Sequence, residues 1–204
     1  MQNLSKKELS ILKKLKSPSK VQDFLNTFPF NFEKKGETYM SPRRVLLEKK
    51  AHCFEGALLA ALAFSLQGER PLLLDLKTTN DDQDHVVALY KKNGYWGAVS
   101  KTNHAVLRFR DPIYKTIREL ALSYFHEYFL NKNGKKTLIS YSKPFDLKKF
   151  GTSWPTDEKE LWHLVEALDN SPHFPIVPKI NKKFIRKAEQ IERKAGSIVE
   201  WENL

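Results

Sequence analysis

One cysteine and one histidine stand where the chain could carry out nucleophilic chemistry. Cys53 is the only cysteine among the 204 residues, and it comes at the predicted start of a strongly apolar helix. A helix N-terminus offers partial positive charge and unpaired N–H groups, which favour a thiolate and can face an oxyanion. His85 opens a predicted strand further along the chain. Its imidazole would complete an ion pair with the thiolate and return a proton to a leaving group.

The same residues also have simpler interpretations. A lone cysteine is commonly a small buried hydrophobe. It excludes an intrachain disulfide and a cysteine-rich zinc site, and the scattered histidines have no metal-ligand spacing, so we expect neither metal nor cofactor. His52 neighbours Cys53, but adjacent residues of a helix diverge by about 100°. We therefore expect His52 to have a surface or capping role.

The helix that would carry Cys53 is predicted over residues 53–64 and ends before Gly68. It is apolar on every side, which is typical of a helix buried on every side. Gly56 and Ala60 lie one turn apart, and small residues let a helix approach a sheet closely. The sequence thus predicts a central helix packed on the strands that include His85.

The remaining elements follow from periodicity and turn residues. Strands are predicted at 71–76, 85–90, 95–100, 105–109 and 137–141, with a hairpin turn at Asn93-Gly94. Helices are predicted at 5–16, 18–28, 43–48, 113–130, 158–168 and 179–196, and a linker at 170–178. We divide the chain into a domain over residues 1–156 and a helical, basic C-terminal extension over 157–204.

Residues 40–115 resemble the transglutaminase-like branch of papain-type cysteine enzymes. Those proteins place a cysteine at a helix start, a histidine at a strand start and usually an aspartate on the next strand. The matching stretches here are residues 52–58, 84–90 and 94–100. The resemblance implies an α+β fold in which a buried helix packs on a small antiparallel sheet, with helical N- and C-terminal additions. It also implies acyl transfer from a peptide or amide substrate, with Cys53 and His85 as the catalytic pair.

The third residue of that site departs from the family pattern. The aspartate tends to fall four positions after a tryptophan, and the corresponding residue after Trp96 is Ser100. A neutral hydroxyl can orient an imidazole, but it stabilises the imidazolium less than a carboxylate does. The absence of the aspartate leaves open a protein that keeps the fold without the activity.

The length of the hairpin loop decides which residue can replace the aspartate. A loop of two or four residues puts Ser100 and Thr102 on the face of His85, whereas a loop of three puts Lys101 and Asn103 there. Ser100 and Asn103 are therefore the candidate orienting residues. Asp111 could also fold back toward the imidazole.

The charge and the hydropathy of the chain limit the kinds of partner that it can have. The net charge is +11, from 35 basic residues mixed along the chain with 24 acidic ones, which predicts weak binding of polyanions. The loop with Asp81, Asp82 and Asp84 is either simply solvated, or it raises the pKa of His85 or selects a cationic substrate. No apolar run approaches the roughly 18 residues that span a membrane. The N-terminus lacks the apolar core of a secretory signal, so we expect a cytoplasmic protein without membrane contact.

Three functions compete on this sequence. The first is a cysteine hydrolase or acyltransferase of the transglutaminase-like type. The second is a catalytically inactive fold that serves as a binding module, and the third is a nucleic-acid-binding protein with a basic tail. The salt dependence of each activity distinguishes these functions, because polyanion binding weakens steeply as the ionic strength rises and the rate of a cysteine reaction does not.

Overall fold

An antiparallel sheet with helices on both faces forms the framework, and the computed structural model describes residues 3–202. The strands are β1 (Leu72–Thr78), β2 (His85–Lys92), β3 (Tyr95–Val99), β4 (Arg110–Tyr114), β5 (Leu138–Ser142), β6 (Phe145–Asp146) and β7 (His173–Pro175). They follow the order β4-β3-β2-β1-β5-β7, and β6 also pairs with β1. The α+β class is confirmed, and this seven-stranded sheet is larger than the small one that the sequence predicts.

Seven α-helices and two 3₁₀ helices are found among residues 3–202. They are α1 (Lys6–Lys14), α2 (Pro18–Asn26), α3 (Pro42–Glu48), α4 (Cys53–Leu66), α5 (Ile117–Phe125), α6 (Trp162–Asp169) and α7 (Gln190–Gly196), with 3₁₀ turns at Leu147–Phe150 and Lys179–Phe184. Ser5, Ser17 and Ser41 begin the first three helices, because each hydroxyl accepts the backbone N–H three residues further on. No described helix is both long and apolar enough to cross a bilayer.

Helix α4 is the centre of the larger core. Every residue from Phe54 to Phe64 is buried, as the all-round apolar sequence predicts. A Cβ atom on Gly56 would lie only 2.5 Å from the Cβ atom of Lys101, in the segment after β3. Glycine at this position therefore permits the close approach that holds the start of α4 against the sheet.

The two faces of the sheet pack against different helices. Along β1, Leu73 belongs to the core around α4, whereas Leu72, Leu74 and Leu76 belong to the core around α5. This alternation is the period of two that a strand imposes on its side chains. Both faces of β1 and β2 are covered, which explains their nearly continuous apolar sequences.

The β2–β3 hairpin turns at the predicted Asn93-Gly94, and its loop has two residues, one of the lengths that the sequence left open. Lys92 pairs with Tyr95, which leaves only Asn93 and Gly94 between the strands. Both loop residues have positive φ angles, 51° and 87°, as a tight hairpin of this type requires. With this loop length, Ser100 shares the face of His85, and Asn103 does not.

Two predictions near the sheet edges are wrong, and in both places the structure has an edge strand that contains a proline. Residues 105–109 form no strand, Leu107 among them has a left-handed φ of 62°, and the edge strand β4 follows instead. The predicted linker 170–178 contains β7, which is the strand at the other edge. Both strands contain a proline, which an edge strand tolerates because it can turn that position away from its neighbour.

The predicted helices of the second half are shorter in the structure. Helix α5 begins only after the Thr116 cap, and α6 begins at Trp162 rather than at residue 158. The basic helix predicted at 179–196 is instead a 3₁₀ helix, a connecting segment and the short α7. The basic side chains of this segment are exposed, so little packing against the rest of the protein is available to stabilise a continuous helix. The domain boundary at residue 156 stays a prediction.

Candidate active site

Cys53 is the first residue of α4 and is partly exposed. His52 precedes the helix in an extended conformation, and its backbone N–H donates to the Glu55 carboxylate over 2.9 Å. That bond closes the first turn from the outside, as a capping box does. The sulfur thus lies beside the free N–H groups of a helix start, as the sequence predicts.

The Glu55 carboxylate anchors this helix start from inside the protein. It is fully buried, yet it accepts hydrogen bonds from Met40 N (3.1 Å), Thr38 Oγ1 (2.8 Å) and Asn31 Nδ2 (3.2 Å). A buried carboxylate is costly unless its oxygens find donors, and here several donors converge on it. The connection before α3 is thereby tied to the residue that sets the position of Cys53.

His52 is buried, so the expected surface role is wrong, although its capping position is confirmed. Its Nε2 lies 2.7 Å from the carbonyl oxygen of Thr38 and 3.5 Å from Glu55 Oε1. A carbonyl only accepts, so Nε2 carries the hydrogen and Nδ1 is left to meet the sulfur of Cys53.

His85 is also buried, and its Nε2 lies 2.7 Å from Ser100 Oγ. The Ser100 hydroxyl donates its single hydrogen to the carbonyl oxygen of Leu107, also over 2.7 Å. Ser100 must therefore accept from His85 Nε2–H, which leaves Nδ1 of His85 as the nitrogen for Cys53. The structure brings Cys53, His85 and Ser100 together.

Gln22 fixes the backbone of Ser100 from helix α2. Its Oε1 accepts from Ser100 N over 2.9 Å, and its Nε2 donates to Ser100 O over 2.8 Å. The side-chain amide pairs with the end of β3 in the way a neighbouring strand would. Nothing local in the sequence around Gln22 predicts this contact, because it joins residues 78 positions apart.

Asn103, the alternative orienting residue, does not take that role. Its side chain accepts from Trp201 N over 2.8 Å and donates to Trp201 O over 2.9 Å. It holds the C-terminal segment against the loop after β3. Asp111 lies exposed on β4.

The electrostatics of the site favour an ion pair. Burial raises the pKa of the Cys53 thiol, but hydrogen bonds from His52 and His85 and the positive charge of both imidazoles lower this pKa to about 5. Burial lowers the pKa of His52, while its hydrogen bond to Cys53 and the charges of Cys53 and Glu55 raise that pKa to about 9. Between the Cys53 pKa of about 5 and the His52 pKa of about 9, the site therefore holds the Cys53 thiolate beside the His52 imidazolium.

A cleft of about 410 Å³ opens onto the sulfur. His52, Cys53 and Phe54 form one part of its lining, and Phe30, Phe32 and Tyr39 form another. Its remaining lining includes five carboxylates, those of Glu33, Glu37, Asp75, Asp84 and Asp169. His85 lies outside the lining, so His52 is the imidazole that a molecule in the cleft would meet.

No protein-family model matches the sequence, and no curated protein is significantly similar to it. The chemistry must therefore be inferred from the residues. A thiolate at a helix start, two imidazoles and an open cleft form an arrangement suited to nucleophilic attack on a carbonyl group.

Sequence reasoning overlooked the roles of His52 and Glu55. Glu55 is the one charged residue within an otherwise apolar helix, and it follows His52 by three positions. That spacing is typical of a capping box, and a charge inside a fully buried helix indicates an internal partner. These two observations together could have predicted a buried polar cluster around Cys53.

Proposed function

We propose that the protein is a cysteine-dependent acyl-transfer enzyme of the transglutaminase-like type, acting on a peptide or amide substrate. The observation that carries the proposal is the position of Cys53 at the start of α4, on an open cleft, where the buried imidazoles of His52 and His85 lower the pKa of its thiol to about 5. The buried helix packed on an antiparallel sheet, with a histidine at a strand start, also supports it.

The proposed reaction has two steps. The Cys53 thiolate attacks the carbonyl carbon, and the N–H groups at the start of α4 face the resulting oxyanion. The C–N bond then breaks, an imidazolium gives its proton to the departing amine, and a thioester remains on Cys53. Water or an acceptor amine attacks the thioester, loses a proton to the imidazole and releases the thiolate.

The two histidines divide the work in this proposal. His85 is buried on Ser100 and stabilises the thiolate from inside the protein. His52 lines the cleft and is the imidazole that can reach the leaving amine. Ser100 orients His85 through Nε2, in place of the aspartate of the family pattern.

The alkylation rate of Cys53 by iodoacetamide, measured against pH, tests the pair. The wild type should reach half of its maximal rate near pH 5, against about 8.5 for the denatured chain. His85→Ala should raise that midpoint by about one unit or more, because it removes a hydrogen bond and a charge. His163→Ala, which removes an exposed histidine of α6, serves as the matched control.

A midpoint that stays near 8.5 in the native wild type would overturn the proposal, because Cys53 would then be an ordinary thiol without an ion pair. A midpoint that His85→Ala leaves in place would overturn the Cys53–His85 pair. Because Cys53 is the only cysteine in the chain, the alkylated product reports on this site alone.

The alternative function is that of a binding module for a polyanion. It is favoured by a second groove, of about 650 Å³, whose rim includes Lys135, Lys136, Lys179, Lys182, Arg186 and Lys187. Such binding should weaken steeply as salt rises. The rate at which a neutral reagent alkylates Cys53 should not depend on salt in this way.

A further inference from the structure

We propose that the cleft selects a substrate with an ammonium or guanidinium group, which binds to five carboxylates that line the same cleft as the nucleophile. We call these residues the acidic wall: Glu33, Glu37, Asp75, Asp84 and Asp169. The inference rests on the proposed function, because the acidic wall acts as the specificity determinant of the site that holds Cys53.

The local charge of the cleft is opposite to that of the whole molecule. The chain carries a net charge of +11, which would favour anionic ligands. Yet the described residues that line the cleft include five carboxylates and neither a lysine nor an arginine. The His52 imidazolium is the one cation among the described residues of this lining, and it faces the Cys53 thiolate. The carboxylates therefore dominate, and a cleft of this kind concentrates cationic ligands.

Three of the carboxylates are crowded together. Asp75, Asp84 and Asp169 each place a side-chain oxygen so that all three lie within 4.8 Å of one another. Asp75 is buried, and burial together with the charge of Asp84 contributes to raising its pKa. Like charges at this distance destabilise each other, and a bound cation would relieve that repulsion.

Internal partners balance only part of this charge. His173 Nε2 lies 2.9 Å from Asp75 Oδ2, and Lys77 Nζ lies 3.6 Å from Asp169 Oδ1. Glu33 Oε1 lies 3.9 Å from Nε2 of His52. Asp84 Oδ1 accepts hydrogen bonds from both N and Oγ1 of Thr78, which are neutral donors. The acidic wall therefore keeps a net negative charge toward the cleft.

The rest of the lining fits an organic cation better than a bare metal ion. Phe30, Phe32, Tyr39 and Phe54 line the same cleft. Aromatic faces pack against the methylene stem of a lysine- or arginine-like group and attract its charged head. A calcium or magnesium ion would use the oxygen ligands and water alone.

Charged thiol reagents test the wall on the protein as it exists. We would compare the rates at which a cationic trimethylammonioethyl and an anionic sulfonatoethyl methanethiosulfonate modify Cys53, each relative to the denatured chain. The expected preference for the cationic reagent is about tenfold or more at low salt. Asp84→Asn/Asp169→Asn should remove most of this preference. Asp111→Asn/Glu166→Gln, with the same change in net charge at exposed positions outside the cleft, should not.

Agmatine, which carries a guanidinium and an ammonium group, is the second probe. It should slow the reaction of Cys53 with iodoacetamide, whereas butyrate at the same ionic strength should not. Calorimetry with Cys53→Ala should detect the same binding without any chemistry at the sulfur. Protection by calcium or magnesium ions that EDTA abolishes, with none by agmatine, would overturn the inference in favour of a metal site.

The two proposals fail in distinguishable ways. If Cys53 reacts with iodoacetamide near pH 5 but shows no preference for the cationic reagent and no protection by agmatine, the acidic wall is not a specificity site and the proposed function stands. If Cys53 is inert to iodoacetamide at neutral pH, the proposed function falls, and the inference about its substrate falls with it.

Discussion

At the scale of single residues, two imidazoles meet the sulfur of Cys53 and differ in what holds their second nitrogen. His85 Nε2 binds a neutral hydroxyl, that of Ser100. His52 Nε2 binds the Thr38 carbonyl, with the buried Glu55 carboxylate 3.5 Å away. A carboxylate thus lies near the histidine that caps the helix, and a hydroxyl lies near the histidine of the strand. In the site that we propose, His52 would be a second source of positive charge for the thiolate.

This arrangement predicts the effect of removing the charge of His52. His52→Gln keeps a donor for the Thr38 carbonyl but cannot become a cation, so the midpoint of Cys53 alkylation should rise by about one to two pH units. His126→Gln, at an exposed position, should leave it unchanged. A midpoint unaffected by His52→Gln would show that His52 only caps the helix.

The same substitution has a stability effect with a defined direction. The pKa of His52 is raised from 6.5 to about 9 in the folded protein. The stabilisation that its charge contributes is therefore fully present below pH 6.5 and is lost as the pH rises through 9. We expect His52→Gln to reduce the free energy of unfolding by about 1–3 kcal/mol more at pH 6 than at pH 10, measured by urea denaturation.

At the scale of elements, the close packing of α4 determines where the sulfur lies. Alanine is favoured over glycine by about 1 kcal/mol in a helix interior. At Gly56, however, the added Cβ would meet the Lys101 side chain at 2.5 Å, and Lys101 is itself buried. We therefore expect Gly56→Ala to lower the free energy of unfolding by about 1–3 kcal/mol, as overpacking does.

Urea denaturation of matched variants tests this expectation. Ser65→Ala, near the other end of the same helix, shows what helix propensity alone contributes and should be neutral or slightly stabilising. The Gly56→Ala protein should also alkylate Cys53 more slowly at neutral pH, because the helix start must move. If Gly56→Ala were as stable as the wild type, the close approach would not constrain α4.

The sequence predicts well those elements whose local residue pattern is enough to define them. Helix α4 is apolar all round, and the β2–β3 hairpin contains Asn93-Gly94, so periodicity and turn chemistry suffice. The sequence does not predict the edge strands β4 and β7, because a proline in a short segment indicates a turn or a linker. Only the sheet order shows that each of these strands has a neighbour on one side and therefore needs fewer backbone N–H donors. In the candidate site, Cys53 and His85 follow from local patterns, whereas the choice between Ser100 and Asn103 depends on the loop length that only the structure gives. Gln22 requires a contact across 78 residues, which no local pattern contains.

At the scale of the whole molecule, the charge is distributed unevenly. The cleft at Cys53 is acidic, whereas residues 178–187 are exposed throughout and include five lysines and arginines. Ile180 and Phe184 are also exposed there, at 78% and 72%. A basic surface of this kind attracts polyanions without regard to the chemistry of Cys53.

If this basic segment is a binding surface, its variants should change the salt dependence of polyanion binding. With a 20-base-pair DNA duplex as the probe, Lys182→Gln/Lys183→Gln/Arg186→Gln should lower the slope of log Kd against log salt by about 2 to 3, roughly one for each phosphate that these side chains neutralise. Lys6→Gln/Lys7→Gln/Lys13→Gln removes the same charge from the exposed face of α1 and should change the slope much less.

Equal effects of the two triple variants would mean that the net charge of +11 acts as a whole and that no polyanion site exists at residues 178–187. Because neither triple variant touches the cleft, iodoacetamide should alkylate Cys53 at the wild-type rate in both, which separates the binding function from the catalytic one.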